Sequence, residues 1–159
     1  MTVALPLIAI FGAAGCAPPF AKGALEKVDP SISFRALQSE PDTFKGKWVM
    51  LAGVIIESRN TKEGTSIEVL QRPMDSRGRP HETDATEGRF IITTDRFLDS
   101  TVFHRGRRIT VIAEVADRKI LPLGEIKYQY PVVVAKELHL WEPSSGLRFF
   151  FGIGVSKGF

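Results

Sequence analysis

From Trp48 onward the chain is a succession of short segments rich in aromatic and β-branched residues, closed off by glycine, proline or asparagine. Such segments fit the half-buried face of a pleated strand better than an amphipathic helix. The pattern predicts strands over 48–56, 65–70, 88–93, 108–115 and 131–141. Gly53, inside the first, marks a bulge or a sharp bend. Asn60-Thr-Lys-Glu-Gly64 reads as a hairpin connection, because Asn and Gly tolerate positive φ. The polar stretch from Pro73 to Glu87, with two prolines, reads as a long loop. Phe97, Leu98, Val102 and Phe103 recur at helical spacing and predict a helix of one or two turns between the third and fourth strands. The expected fold is all-β, with one or two short helices: a small OB-like five-stranded Greek-key barrel, whose closure removes exposed edges. A small open sandwich is the alternative.

Two features precede this region. Ser31 to Gln38 carries Ile32, Phe34 and Leu37 behind a serine cap, which predicts a short helix ended by Pro41. Ahead of it, Ala17-Pro18-Pro19 through Asp29-Pro30 reads as an extended tether. Cys16, the only cysteine, follows the apolar run 3–12 and the small residues Ala13-Ala14-Gly15. A lone cysteine forms no internal disulfide. A short apolar segment followed by small residues is the profile of a signal peptide and its cleavage site. It is too short to cross about 30 Å of hydrocarbon, which needs about 20 apolar residues. A core segment with an ordinary buried cysteine is the plainer alternative. With the cysteine directly after the site, the segment resembles the lipobox of bacterial lipoproteins, in which the thiol is diacylated and the leader removed. Met1-Thr2 lacks the usual basic start. Ala17, where an Asp commonly retains such proteins at the inner membrane, implies the outer membrane. The layout is then a signal peptide over 1–15, the lipidated Cys16 and tether over 16–30, a barrel domain over 31–142 and an aromatic tail over 143–159.

Charge excludes little. Lys and Arg number 21 against 18 Asp and Glu, for a net charge of +3. A nucleic-acid protein concentrates its cations into a stripe, so no nucleic-acid partner is expected. The densest group, Arg105, Arg107 and Arg108, reads as a solvated strand entrance, or as a contact for lipid phosphates or anionic glycans.

The residues that bear chemistry are dispersed. His81, His104 and His139 lack the close spacing of metal ligands, so no metal or cofactor is expected. Asp75, Asp84, Glu87, Asp99 and Glu125 are loop carboxylates available to hydrolytic chemistry, but such residues ordinarily hold turns. No G-x-S-x-G motif supports a serine nucleophile, and the glycines form no phosphate-cradling group. Trp48, Phe90, Phe97, Phe103, Tyr128, Tyr130 and Trp141 read as core packing ahead of a stacking platform. The tail 147–159 sets phenylalanines beside Arg148 and Lys157, which suits either a bilayer interface or packing on the barrel.

Several segments together resemble the Slp family of starvation-inducible outer-membrane lipoproteins. They are Phe44-Lys-Gly-Lys-Trp-Val49 with Gly53-Val-Ile55, Thr65 to Leu70, Arg72-Pro-Met-Asp75 with Gly78-Arg-Pro80, and Glu87 to Phe90. Phe97-Leu-Asp99, Gly106 to Val111, Gly124-Glu125, Tyr128 to Pro131 and Leu140-Trp141 continue the match in order. Met74, in place of a Leu, and Ala113-Glu114, in place of a Gly, depart from the pattern. The resemblance implies an outer-membrane lipoprotein facing the periplasm and made under starvation or stress, and it supplies no catalytic residues. The expected function is a non-enzymatic binding or structural module of the cell envelope, held to the membrane by a lipid on Cys16, with an envelope protein or glycan as partner. An envelope hydrolase is the alternative.

Overall fold

In the computed structural model residues 18–143 are described. The leader, Cys16 and the tail from residue 144 lie outside them. The strands are β1 (Trp48–Thr61), β2 (Gly64–Gln71), β3 (Arg89–Thr94), β4 (Arg108–Leu123) and β5 (Ile126–Leu140). They close into a barrel in the order β1-β2-β3-β5-β4. Every neighbouring pair is antiparallel except β3 with β5, which run parallel through Ile91–Thr93 and Val132–Val134. This is the OB-like Greek-key arrangement expected, and the open sandwich is not formed.

The period-2 alternation sends one side chain in two to the interior. Val49, Leu51, Ile55, Ile67, Val69, Phe90, Ile92, Val111 and Val133 fill it, all almost wholly buried. Two short helices precede the barrel, α1 (Lys22–Leu25) and α2 (Phe34–Ser39), with a 3-10 turn over Pro41–Phe44. The Ser33 hydroxyl caps α2 by accepting from the Ala36 N–H at 3.2 Å. That helix lowers Phe34 and Leu37 into the core cluster, where the Phe34 ring meets Phe90 at 5.8 Å.

β1 pairs with β4 through Trp48 to Val54 and with β2 from Gly53 to Thr61, so it serves both neighbours where the two ladders overlap. The overlap explains Gly53. The glycine stays in register, and the irregularity falls later, between Ile55 and Glu57. What Gly53 supplies is close approach: a Cβ there would lie 2.2 Å from the Leu70 carbonyl oxygen and 2.6 Å from Val69 Cγ1.

Three expectations are corrected. No helix forms over 97–103. Asp99 instead holds a single turn, its carboxylate accepting from the Thr101 N–H and hydroxyl and its carbonyl from the N–H groups of Val102 and Phe103. Of the four apolar residues there only Leu98 is buried, and Phe97 is 68% exposed. The extended tether also gives way from Phe20 on: α1 forms, Val28 bridges to Trp48, and Phe20 is buried against His139. The Ala21 N–H donates to the Glu137 carboxylate at 3.0 Å, so these residues cover the outer face of the barrel. Finally, β4 and β5 run past the predicted ends and form a hairpin arm turning at Gly124-Glu125, with Gly124 at φ 60°. Asp117-Arg118-Lys119 masks the strand in the sequence, because this stretch is exposed and gives no apolar alternation.

Gly53→Ala is expected to destabilise the chain by about 1–3 kcal/mol, since overpacking here meets backbone that cannot yield. Gly23→Ala in α1, where a Cβ meets nothing within 4 Å, is expected to leave stability unchanged or to raise it by up to about 1 kcal/mol. Urea denaturation of the two variants checks the contrast.

Candidate functional site: a basic groove at one mouth of the barrel

The turn before β4 is drawn onto β1 by two backbone hydrogen bonds: Ile55 N–H donates to the Arg107 carbonyl and Gly106 N–H to the Ile55 carbonyl, both at 2.9 Å. Gly106 accommodates the reversal at φ 89°. The end of β5 joins this turn, because the Trp141 N–H donates to the Arg108 carbonyl at 3.0 Å. Arg72, just past β2, is held by its own N–H donating to the Ala52 carbonyl at 2.9 Å.

The fourth wall is the long loop, and Asp75 organises it. One of its carboxylate oxygens accepts from the N–H groups of Arg77 and Arg79 at 2.9 Å. The Arg79 N–H bond is the main reason this carboxyl sits below its ordinary pKa. The loop is pinned to β4 by the fully buried Thr110, whose hydroxyl donates to the Gly78 carbonyl at 2.6 Å and accepts from Trp141 Nε1 at 2.9 Å. Arg79 lies over the Trp141 ring at 5.7 Å, and His139 meets the same ring edge-on at 4.6 Å.

Between these walls lies a groove of about 530 Å³ lined by Arg72, His81, His104, Arg105, Arg107 and Arg108, with Val54 and Trp141 as apolar surface. Glu82 is the one carboxylate among the described lining residues, and it accepts from Arg108 Nη1 at 2.9 Å. Arg107 donates to the Val102 and Trp141 carbonyls at 3.4 Å, while its Nε is buried without an acceptor among the described residues. Arg72 Nη1 donates to the Ala85 carbonyl at 3.1 Å. His104 and Arg105 are exposed at the edge. The groove therefore carries an excess of guanidinium groups, which match phosphate and carboxylate oxygens in geometry and charge.

A smaller hollow of about 340 Å³ opens beside the arm, lined by Glu57, Arg59, Glu68 and Tyr130 among others. Its charges are paired internally, Arg89 with Glu68 and Arg59 with Glu57, each at 2.8 Å. The Tyr130 hydroxyl donates to Glu68 at 3.2 Å, and burial, followed by the Glu68 charge, holds its pKa above the usual tyrosine value. Self-neutralised in this way, the hollow offers an ionic ligand little.

The structure gathers some sequence candidates and scatters others. His81 and His104 share the basic groove, whereas His139 lies outside it between Phe20 and Trp141. Among the described residues no group of His, Cys, Asp and Glu is arranged to hold a metal. Asp75 and Asp99 hold turns, Glu87 pairs with Arg35 at 3.6 Å, and Glu125 sits at the tip of the arm. Phe90, Tyr130 and Trp141 are buried, as core packing requires, and Phe97 is the exposed exception. Arg105, Arg107 and Arg108 stand at the entrance to β4, and the structure brings Arg72, His81 and His104 beside them in one groove. Nothing local in the sequence announces Arg72, which joins the site only through barrel closure.

The fold and groove define a small OB-like barrel with one basic mouth. The outer membrane lipoprotein Slp family matches residues 13–148, and the chain belongs to that family, whose members are outer-membrane lipoproteins of Gram-negative bacteria. An uncharacterized protein of Haemophilus influenzae is 35% identical over 138 residues, 85% of this chain and 73% of its own length. The uncharacterized lipoprotein YeaY of Escherichia coli is 25% identical over 112 residues, 70% of this chain and 58% of that protein. The outer membrane protein Slp of Escherichia coli is 24% identical over 113 residues, 71% of this chain and 60% of that protein. The chain thus spans less than two thirds of the length of both Escherichia coli relatives. Among solved structures, the mitochondrial single-stranded DNA binding protein Rim1 of S. cerevisiae aligns at a TM-score of 0.33 and 13% identity, over 60% of this chain and 95% of that one. At that score the likeness has no bearing on function.

Burial holds the His139 imidazole below its ordinary pKa of 6.5. The unfolded chain therefore takes up a proton that the folded chain resists, so this contribution to stability is complete above about pH 6.5 and is lost progressively as the pH falls below it. Urea titrations across that range are expected to show the slope in the wild type and a shallower one in His139→Phe.

Proposed function

We propose that the chain is a non-enzymatic binding module of the envelope, anchored by lipid on Cys16 at the periplasmic face of the outer membrane and engaging an anionic envelope component through the basic groove. The observation that carries this reading is the convergence of Arg72, Arg105, Arg107 and Arg108 on one groove with a single carboxylate, Glu82, among its described lining residues. Membrane association follows from the family, whose lipoproteins are held at the outer membrane. Production under starvation or stress is the expectation that accompanies the same kinship.

The non-catalytic reading is supported by what the carboxylates do. Each one with a displaced pKa among the described residues, Asp29, Glu57, Asp75, Asp99 and Asp117, is moved down by hydrogen bonds or a nearby cation. A general acid needs the opposite displacement, toward the working pH. These groups serve as turn anchors and ion-pair partners.

Metabolic labelling with palmitate tests the anchor. The wild-type chain is expected to take up label and fractionate with the outer membrane, and Cys16→Ser to take up none. A wild-type chain that stays unlabelled and soluble would contradict the reading.

A further inference from the structure

Phe20 is the point from which the anchor can be measured. It is buried on the outer face of the barrel, its ring 6.1 Å from that of His139, which in turn lies 4.6 Å from Trp141 at the groove. The loop makes the same connection by another route: Gly78 lies beside Phe20, and His81 and Glu82, a few residues on, line the groove. Cys16 stands four residues before Phe20 in the sequence. Fully extended, that stretch spans about 14 Å. A domain of this size has a radius of gyration of about 14 Å, so the leash is shorter than the domain is wide. A lipid on Cys16 therefore keeps the Phe20 face at the bilayer, and the groove opens beside that face.

The chemistry of the groove suits what it would meet there. Arginine forks pair with phosphate oxygens bidentately. The groove is open and carries excess cationic charge, as a contact for an extended anionic surface requires. We propose that it is a second membrane attachment, taking the phosphates of anionic phospholipid headgroups in the bilayer that holds Cys16; the proposal rests on the reading of Cys16 as lipidated. One point of attachment leaves the domain free to swivel, and the second fixes its orientation, with the β4–β5 arm directed away from the groove.

Vesicle flotation tests this without the acyl chains. The probe is the full chain carrying Cys16→Ser, mixed with vesicles of phosphatidylcholine alone or of phosphatidylcholine with phosphatidylglycerol. The apolar leader is present in both arms, so the difference between compositions reports headgroup charge. The expected result is phosphatidylglycerol-dependent flotation that fades between about 0.15 M and about 1 M salt, as the screening length falls from about 8 Å to 3 Å. Arg105→Gln, at an exposed position, is expected to weaken that component about fivefold, and Arg72→Gln with Arg105→Gln about 25-fold. Lys62→Gln with Lys119→Gln removes the same charge from a different hollow and is expected to leave binding within about twofold of the parent, since charges beyond a screening length contribute little. Circular dichroism confirms that the variants fold. Equal flotation on both compositions, or equal weakening by the lysine pair, would overturn the proposal. So would arginine-dependent binding to dextran sulfate without phosphatidylglycerol dependence, which would assign the groove to an anionic glycan. Palmitate labelling of the wild type reads the anchor separately, so either attachment can fail alone.

Discussion

The structure depends on β1 pairing with two strands at once. Its first half closes the barrel against β4, its second half forms the hairpin with β2, and the ladders overlap at Gly53 and Val54. A side chain at position 53 would collide with the Leu70 carbonyl, so closure requires glycine there. The same crossing builds the groove: Val54 lines it, Ile55 draws in the 104–107 turn, and Ala52 fixes Arg72. The pairing that closes the barrel thus also positions the basic mouth.

Thr110 is the second dependency. Its position on the outer face of β4 would ordinarily be solvated, but the loop and the Phe20 segment cover it completely. Its one hydroxyl serves both the Gly78 carbonyl and the Trp141 indole, so the buried polar groups satisfy one another. This joint orders the loop that carries His81 and Glu82, and through Trp141 it positions the end of β5.

The strands were legible because each buried face writes a period of two into the sequence, as in Thr65-Ser-Ile-Glu-Val-Leu70 with Ile67 and Val69 inside. The arm was not, because Asp117-Arg118-Lys119 is exposed and its strand is set by cross-strand hydrogen bonding. The spacing of Phe97, Leu98, Val102 and Phe103 misled because the chain makes a single turn there: the Asp99 carboxylate accepts from the Thr101 N–H and its backbone carbonyl from the Val102 and Phe103 N–H groups, and no helix follows. At Phe20 the prolines nearby obscured a residue that docks on the barrel. Of the groove, Arg105, Arg107 and Arg108 were visible as a local cluster, whereas Arg72, His81 and Glu82 arrive from other strands and loops and leave no local trace.

The two proposed attachments orient the domain, with the basic mouth against the bilayer and the arm pointing away. Thr83 lies at the groove and Glu125 at the tip of the arm, and the strand between Arg108 and the tip rises about 3.3 Å per residue. A fluorophore placed through Thr83→Cys or Glu125→Cys on the lipidated full chain in phosphatidylglycerol vesicles, read against a quencher attached to the lipid headgroups, measures that orientation. Strong quenching at position 83 with little at 125 is the predicted result, and equal quenching at both positions, or the reverse order, would contradict it.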